Sequence, residues 1–151
     1  MLHRIMLLLA TNFGLGYSRK APGTVGTLAG IPVFYVVASC PAGIAILLWG
    51  AIMVVAFWSA AVAGRHFGVV DDGRIVIDEL VGYLTTVLLL PFSWSTALLA
   101  FILFRFFDIV KVFPANWFDT KVKNGYGVVL DDVVAGIYAA IVLRFCLYFF
   151  Q

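Results

Sequence analysis

Long apolar runs, broken by short polar or proline-marked stretches, set the pattern of this chain. Val25 to Cys40 is apolar but contains Pro32, and it is short for a complete membrane crossing unless tilted, broken or helped by neighbours. Ala42 to Gly64 runs for 23 residues without a charge; as a helix it would reach roughly 34 Å, enough to cross a hydrocarbon core. Leu80 to Phe104 is also free of charge, but Pro91-Phe92-Ser93-Trp94-Ser95 in its middle has turn chemistry. The pattern therefore predicts two helices there, over about residues 75–90 and 95–112, and a last one over about 128–150. Ahead of the first long helix, Ala21-Pro22-Gly23-Thr24 punctuates the chain, and Thr24 is expected to be the N-cap. The expected architecture is an all-α integral membrane protein. A single domain over residues 1–151 would hold about five transmembrane or partly spanning helices.

Composition supports that class. Hydrophobic residues make up 64% and charged residues 12% of the chain, against about 45–50% and about 25% in soluble domains. The net charge of +2 comes without a basic run, which argues against a nucleic-acid partner. The short apolar run within Met1–Ala10 lacks a clear signal-peptide cleavage pattern. Cys40 and Cys146 have no metal-like spacing and read as small hydrophobes. No internal repeat is visible.

The charges are unevenly placed. Eight of the eighteen fall between Arg105 and Asp132. If five helices alternate across a bilayer, Arg19/Lys20, the stretch Arg65 to Glu79 and the stretch Arg105 to Asp132 all meet at one face. That face then holds all eight acids, Arg144 lies opposite, and the loops around Pro41 and Pro91 carry no charge. The positive-inside bias makes the charged face cytoplasmic. A four-helix division, with residues 80–104 as one span, would scatter the carboxylates over both faces.

Charged groups at membrane depth are costly and mark a site or a pathway. Asp78 and Glu79 open one helix, Asp131 and Asp132 open another, and Arg105, Asp108 and Lys111 form a drifting i, i+3, i+6 stripe on a third. So many carboxylates would repel one another unless a cation neutralised them. Oxygen-only ligands favour a hard ion, Mg²⁺ first. Arg105, Lys111, and Arg19 or Lys20 could hold a phosphate, with Thr24 and the amides of a helix N-terminus as a further anion site. Neither histidine nor cysteine has the surroundings of a phosphatase nucleophile, and the Asp-x-Asp pattern of aspartyl-phosphate enzymes is absent. Water attack on phosphorus, assisted by a metal, remains. Taken singly, each piece has a plainer explanation. Asp78 and Asp131 are acids favoured near helix starts, and Arg105–Asp108–Lys111 could be a structural ion-pair ladder. The small residues Gly23 and Gly26 could serve helix packing, and Asp71, Asp72, Lys121 and Lys123 are expected to be solvated loop charges.

These residues resemble the phosphatidylglycerophosphatase A family of bacterial membrane lipid phosphatases. The resemblance lies in Ala21-Pro-Gly-Thr-Val-Gly-Thr27, Ile75-Val-Ile-Asp-Glu-Leu-Val-Gly82, Phe104-Arg-Phe-Phe-Asp-Ile-Val-Lys111, Pro114 with Trp117-Phe-Asp119, and Gly125-Tyr-Gly-Val-Val-Leu-Asp-Asp-Val-Val-Ala-Gly136. It implies Mg²⁺-dependent removal of the terminal phosphate of phosphatidylglycerophosphate at the inner, cytoplasmic membrane. It also implies catalytic roles for Asp78, Glu79, Asp108, Asp131 and Asp132. Asp78, Glu79, Asp131 and Asp132 would be the metal ligands, and Thr24, Arg105 and Lys111 would contact substrate. The chain departs from the family pattern at Val112, where proline is usual, and at Asn116 and Thr120, where basic residues are common. Val112 would let the helix run a turn farther and re-aim Lys111. The alternatives are a catalytically impaired lipid- or cation-binding membrane relative, and a cation pathway built on the same acids.

Overall fold

The computed structural model describes residues 1–150, with side chains to Phe149. Seven helices follow one another, and no strand occurs among the described residues. They are α1 (Leu2–Ala10), α2 (Pro22–Ala38), α3 (Ala42–Phe67), α4 (Ile77–Val87), α5 (Trp94–Val110), α6 (Ala115–Lys121) and α7 (Gly125–Phe150), with a 3₁₀ turn at Leu15–Tyr17.

Several boundaries differ from the pattern's expectation, each for a local reason. α2 starts at Pro22, whose fixed φ suits a first helical position, so Thr24 lies inside the first turn and the cap is Ala21. α5 starts after Ser93, whose hydroxyl accepts from the Thr96 N–H at 3.0 Å. It ends at Val110 because Lys111 turns left-handed at φ 46°. Val112 therefore does not extend the helix. α4 is shorter than 75–90; its 11 residues reach only about 16 Å. α1 and α6 lie outside the five apolar runs.

Two helices, Ala42–Phe67 and Gly125–Phe149, are long and apolar enough to cross a membrane. α3 turns much of its length outward through Leu47, Val54 and Trp58, and α5 and α7 expose Ile102, Ile141 and Phe145. So much exposed apolar surface on several helices suits lipid better than water. α4, by contrast, is buried along nearly its whole length and packs against α7, α2, α3 and α5. Tyr83, Leu84 and Val87 face one apolar cluster with Phe34, Phe104 and Leu143. Ile77 and Val81 face a second with Ala56, Ala60, Val129 and Val133. At the far end of α4, Arg144 donates to the Leu88 carbonyl at 2.6 Å and satisfies a helix terminus that would otherwise be orphaned.

α4 and α7 cross in close contact through two glycines. A Cβ at Gly82 would enter the Phe104 ring and sit 2.7 Å from the Asp132 carbonyl oxygen; one at Gly136 would overlap the Gly82 carbonyl oxygen. Thr86 Oγ1 donates across the same crossing to the Gly136 carbonyl at 3.3 Å. Only glycine lets the two backbones approach this closely. Gly136→Val is expected to destabilise the protein by on the order of 2–3 kcal/mol through overpacking, read as a lower melting temperature in detergent. An exposed Gly43→Ala change in α3, where nothing lies near the added methyl, should not lower it.

Candidate functional site

The glycine crossing fixes what lies one turn earlier on each helix. Four residues before Gly82 is Asp78, and four before Gly136 is Asp132, so the i, i+4 spacing stacks each acid over its crossing point. Asp78, Glu79 and Asp132 each bring a carboxylate oxygen to within 4.8 Å of the others. Asp78 and Asp132 are buried. Asp78 Oδ1 and Glu79 Oε2 are enclosed and have no hydrogen-bond partner. A buried carboxylate oxygen without a donor is costly, and this pair faces a third acid.

The basic groups surround this trio. Arg105 is ion-paired with Asp108 on α5, and the Asp108 carboxyl neighbours those of Glu79 and Asp132. The start of α2 closes the near side. A Cβ at Gly23 would overlap Glu79 Oε1 and lie 3.1 Å from Arg105 Nη1, so only a bare backbone lets the start of α2 pack directly against both groups. Thr24 follows in the same first turn of a 17-residue helix.

Asp131, next to Asp132, faces elsewhere. Consecutive helical residues point about 100° apart, and Asp131 Oδ2 accepts from Lys111 Nζ at 2.7 Å. The same ammonium donates to Asp119 Oδ1 at 2.7 Å. The left-handed turn at Lys111 thus aims its side chain between α6 and α7. Of the four expected metal ligands, the structure gathers three around one point and gives the fourth, Asp131, to Lys111. Asp108 and Arg105 border the trio, while Arg19 and Lys20 are exposed at the loop before α2.

Two acids go beyond the sequence pattern, which gives Asp119 no role and reads Asp71 as a solvated loop charge. Asp119 completes the Lys111 bridge, and its only signal was its place beside Trp117-Phe118. Asp71 lies on the loop before α4 and lines a cavity of about 480 Å³ with Asp119, Lys123, Val122 and Val128. Its carboxyl stays accessible, yet loss of water to the surrounding protein raises its pKa above the ordinary value, with Lys111 and Lys123 pulling the other way. Its neighbour Asp72 is the reverse case. Hydrogen bonds from the Arg74 guanidinium, at 2.6 and 2.8 Å, lower its pKa, and Arg74 also lies 3.8 Å over the Phe67 ring. Asp72 therefore orders the loop, and Asp71 faces the charged cavity.

An all-helical, strongly apolar scaffold with a buried oxygen-donor cluster, flanked by an arginine and a helix start, has the parts that phosphate chemistry at a lipid surface requires. The family model for phosphatidylglycerophosphatase A matches residues 8–147. A Haemophilus influenzae protein named phosphatidylglycerophosphatase A is 42% identical over 90% of this chain and 85% of its own. An Escherichia coli protein of the same name is 37% identical over 91% of this chain and 81% of its own. A Bacteroides thetaiotaomicron protein, provisionally named a phosphatidylinositol-3-phosphatase, is 36% identical over 91% and 90%. No solved structure matches. The chain belongs to the phosphatidylglycerophosphatase A family.

The Lys111 bridge makes a separable prediction. Lys111→Met leaves the buried Asp131 carboxylate without its partner and is expected to cost on the order of 2 kcal/mol, less than for a fully enclosed pair because the lysine is partly exposed. Adding Asp131→Asn should restore part of that loss, measured by thermal unfolding of the single and double variants.

Proposed function

We propose that the chain hydrolyses the terminal phosphomonoester of phosphatidylglycerophosphate, giving phosphatidylglycerol and inorganic phosphate at the cytoplasmic face of a bacterial inner membrane. The observation that carries the chemistry is the pair of enclosed, unpartnered oxygens of Asp78 and Glu79 opposite Asp132. An all-carboxylate set of this kind fits a hard divalent ion, Mg²⁺ before zinc or copper. Asp78, Glu79 and Asp132 would hold it. A bound Mg²⁺ would supply positive charge to the phosphoryl oxygens and make water a stronger nucleophile.

The chain's own groups then have distinct tasks. Arg105, oriented by Asp108, presents a planar fork that matches two phosphate oxygens. Gly23 brings the start of α2 against that fork, and the free amides of the first turn of α2, including that of Thr24, would favour negative charge there. Asp131 and Asp119 hold the Lys111 ammonium at the α5–α6 turn, on the side from which an anionic headgroup would enter. The aromatic side chains Phe113 and Trp117, both exposed next to this turn, suit the headgroup level of a bilayer. The gathering of acids at one end of the helices supports a single charged face, and the excess of basic residues there supports the cytoplasmic side. A cation pathway is less well supported, since α4 continues inward from the acids with the buried apolar side chains Val81, Leu84 and Val87.

Purified protein in detergent is expected to release phosphate from phosphatidylglycerophosphate when Mg²⁺ is present and to stop in EDTA. Asp78→Asn and Asp132→Asn should each lower the rate by at least about 100-fold, the scale of losing a major electrostatic contribution to phosphoryl transfer. Phosphatidylinositol 3-phosphate serves as the competing substrate. Faster release from it would redirect the headgroup assignment, and no release from either by folded protein would favour a catalytically impaired relative.

A further inference from the structure

The acid trio is braced by more than the packing of its own two helices. Without a cation, three carboxyl groups share this space at a cost in desolvation and mutual repulsion, which makes the placement of the first turn of α4 matter. The N-cap of α4 is Val76, two positions before Asp78, and it is held from two directions. On one side Gly26 of α2 brings its Cα so close that an added Cβ would sit 2.7 Å from the Val76 Cβ. On the other side lies the turn that follows α1. There the Val76 N–H donates to the Ala10 carbonyl at 2.9 Å, and the buried side-chain amide of Asn12 donates to the Val76 carbonyl at 2.7 Å. Both backbone groups of this N-cap residue are thus bonded to a segment more than sixty residues away.

The turn is built for this clasp. Asn12, Phe13 and Gly14 are consecutively left-handed, at φ 45°, 58° and 94°. Asparagine enters that region more readily than other residues with a side chain, apart from its acid counterpart. Thr11 braces the turn, its hydroxyl donating to the Leu7 carbonyl at 2.9 Å and accepting from the Gly14 N–H at 3.2 Å. Asparagine also supplies the required N–H₂ donor. An aspartate of the same shape would set a carboxylate oxygen against the Val76 carbonyl, and an apolar side chain would leave that carbonyl unpaired.

We propose that Asn12 is a positioning residue for the cation site. Its bond to Val76 holds the start of α4 so that the Asp78 and Glu79 carboxylates stay aimed at Asp132. This rests on the proposed divalent-cation site, and its test separates the two.

Mn²⁺, an oxygen-seeking paramagnetic probe, is titrated into detergent-solubilised protein and the free ion is followed by electron paramagnetic resonance. Wild type is compared with Asn12→Gly, which keeps the left-handed turn and removes the amide, and with Asn12→Asp, which keeps the shape and removes the donor. Phe13→Gly relaxes the adjacent position without touching the bond. Both Asn12 variants are expected to bind Mn²⁺ about tenfold more weakly, the effect of losing an outer support of a metal ligand. Their Mg²⁺ requirement for phosphate release should rise in parallel, while Phe13→Gly matches wild type. Wild-type affinity in both folded Asn12 variants overturns the assignment of Asn12 alone. Equal weakening in Phe13→Gly, or loss of folded protein in both Asn12 variants, makes the turn a general stabiliser and also overturns it. A wild-type protein that binds no Mn²⁺ overturns the cation site itself, and this inference with it.

Discussion

The structure depends on one close approach, the backbone crossing of α4 and α7 at Gly82 and Gly136. Two helices that touch through glycines gain packing along their length, and Thr86 adds a hydroxyl bond across the gap. The consequence is chemical as well as mechanical. Because side chains recur every fourth residue on one helix face, the contact that joins the helices also sets Asp78 of one against Asp132 of the other. The acids are brought together by packing remote from their own charge, and the apolar clusters on both sides of α4 hold them there against repulsion.

The charges around this crossing form two linked groups with different balances. In the Lys111 bridge one ammonium is bonded to both the Asp119 and the Asp131 carboxylates, so each acid has a cationic partner. The trio of Asp78, Glu79 and Asp132 is not compensated in this way, since two of its oxygens have no donor and the nearest cation, Arg105, is engaged by Asp108. Folded proteins rarely retain such a deficit without a use for it. The bridged group ties the end of α5 to α6 and α7. The uncompensated group is where an added positive charge would be held most strongly. Membership of the phosphatidylglycerophosphatase A family agrees with a site that handles a charged phosphate on an apolar scaffold.

Much of this was legible in the pattern of residues, and the remainder was not for identifiable reasons. The uncharged run from Ala42 and the turn at Pro91–Ser95 marked real helices and a real break, because length and turn chemistry are local properties. The left-handed residues Ala21 and Lys111 moved two helix ends, and no rule of propensity places an alanine or a lysine there. α1 and α6 escaped notice because a brief apolar run and a mixed polar stretch carry little periodic signal. Within the site, the acids were visible but their partition was not. Asp131 and Asp132 are adjacent in sequence and differ only in direction, which depends on the rotation of α7 about its axis. That rotation is set by Gly136 against Gly82, a tertiary contact. Asp119 and Asn12 gained their roles in the same way, through partners 8 and 64 residues distant.

The site gathers three carboxylates whose repulsion a divalent cation would relieve, and this relief is measurable. It is tested most directly by the melting temperature of the purified protein, with and without Mg²⁺, for wild type and Asp78→Asn. Mg²⁺ is expected to raise the wild-type melting temperature. Asp78→Asn is expected to be the more stable protein in EDTA, because a repelling charge is gone, and its melting temperature should no longer respond to Mg²⁺. A wild-type melting temperature indifferent to Mg²⁺, together with an Asp78→Asn variant less stable in EDTA, would contradict it.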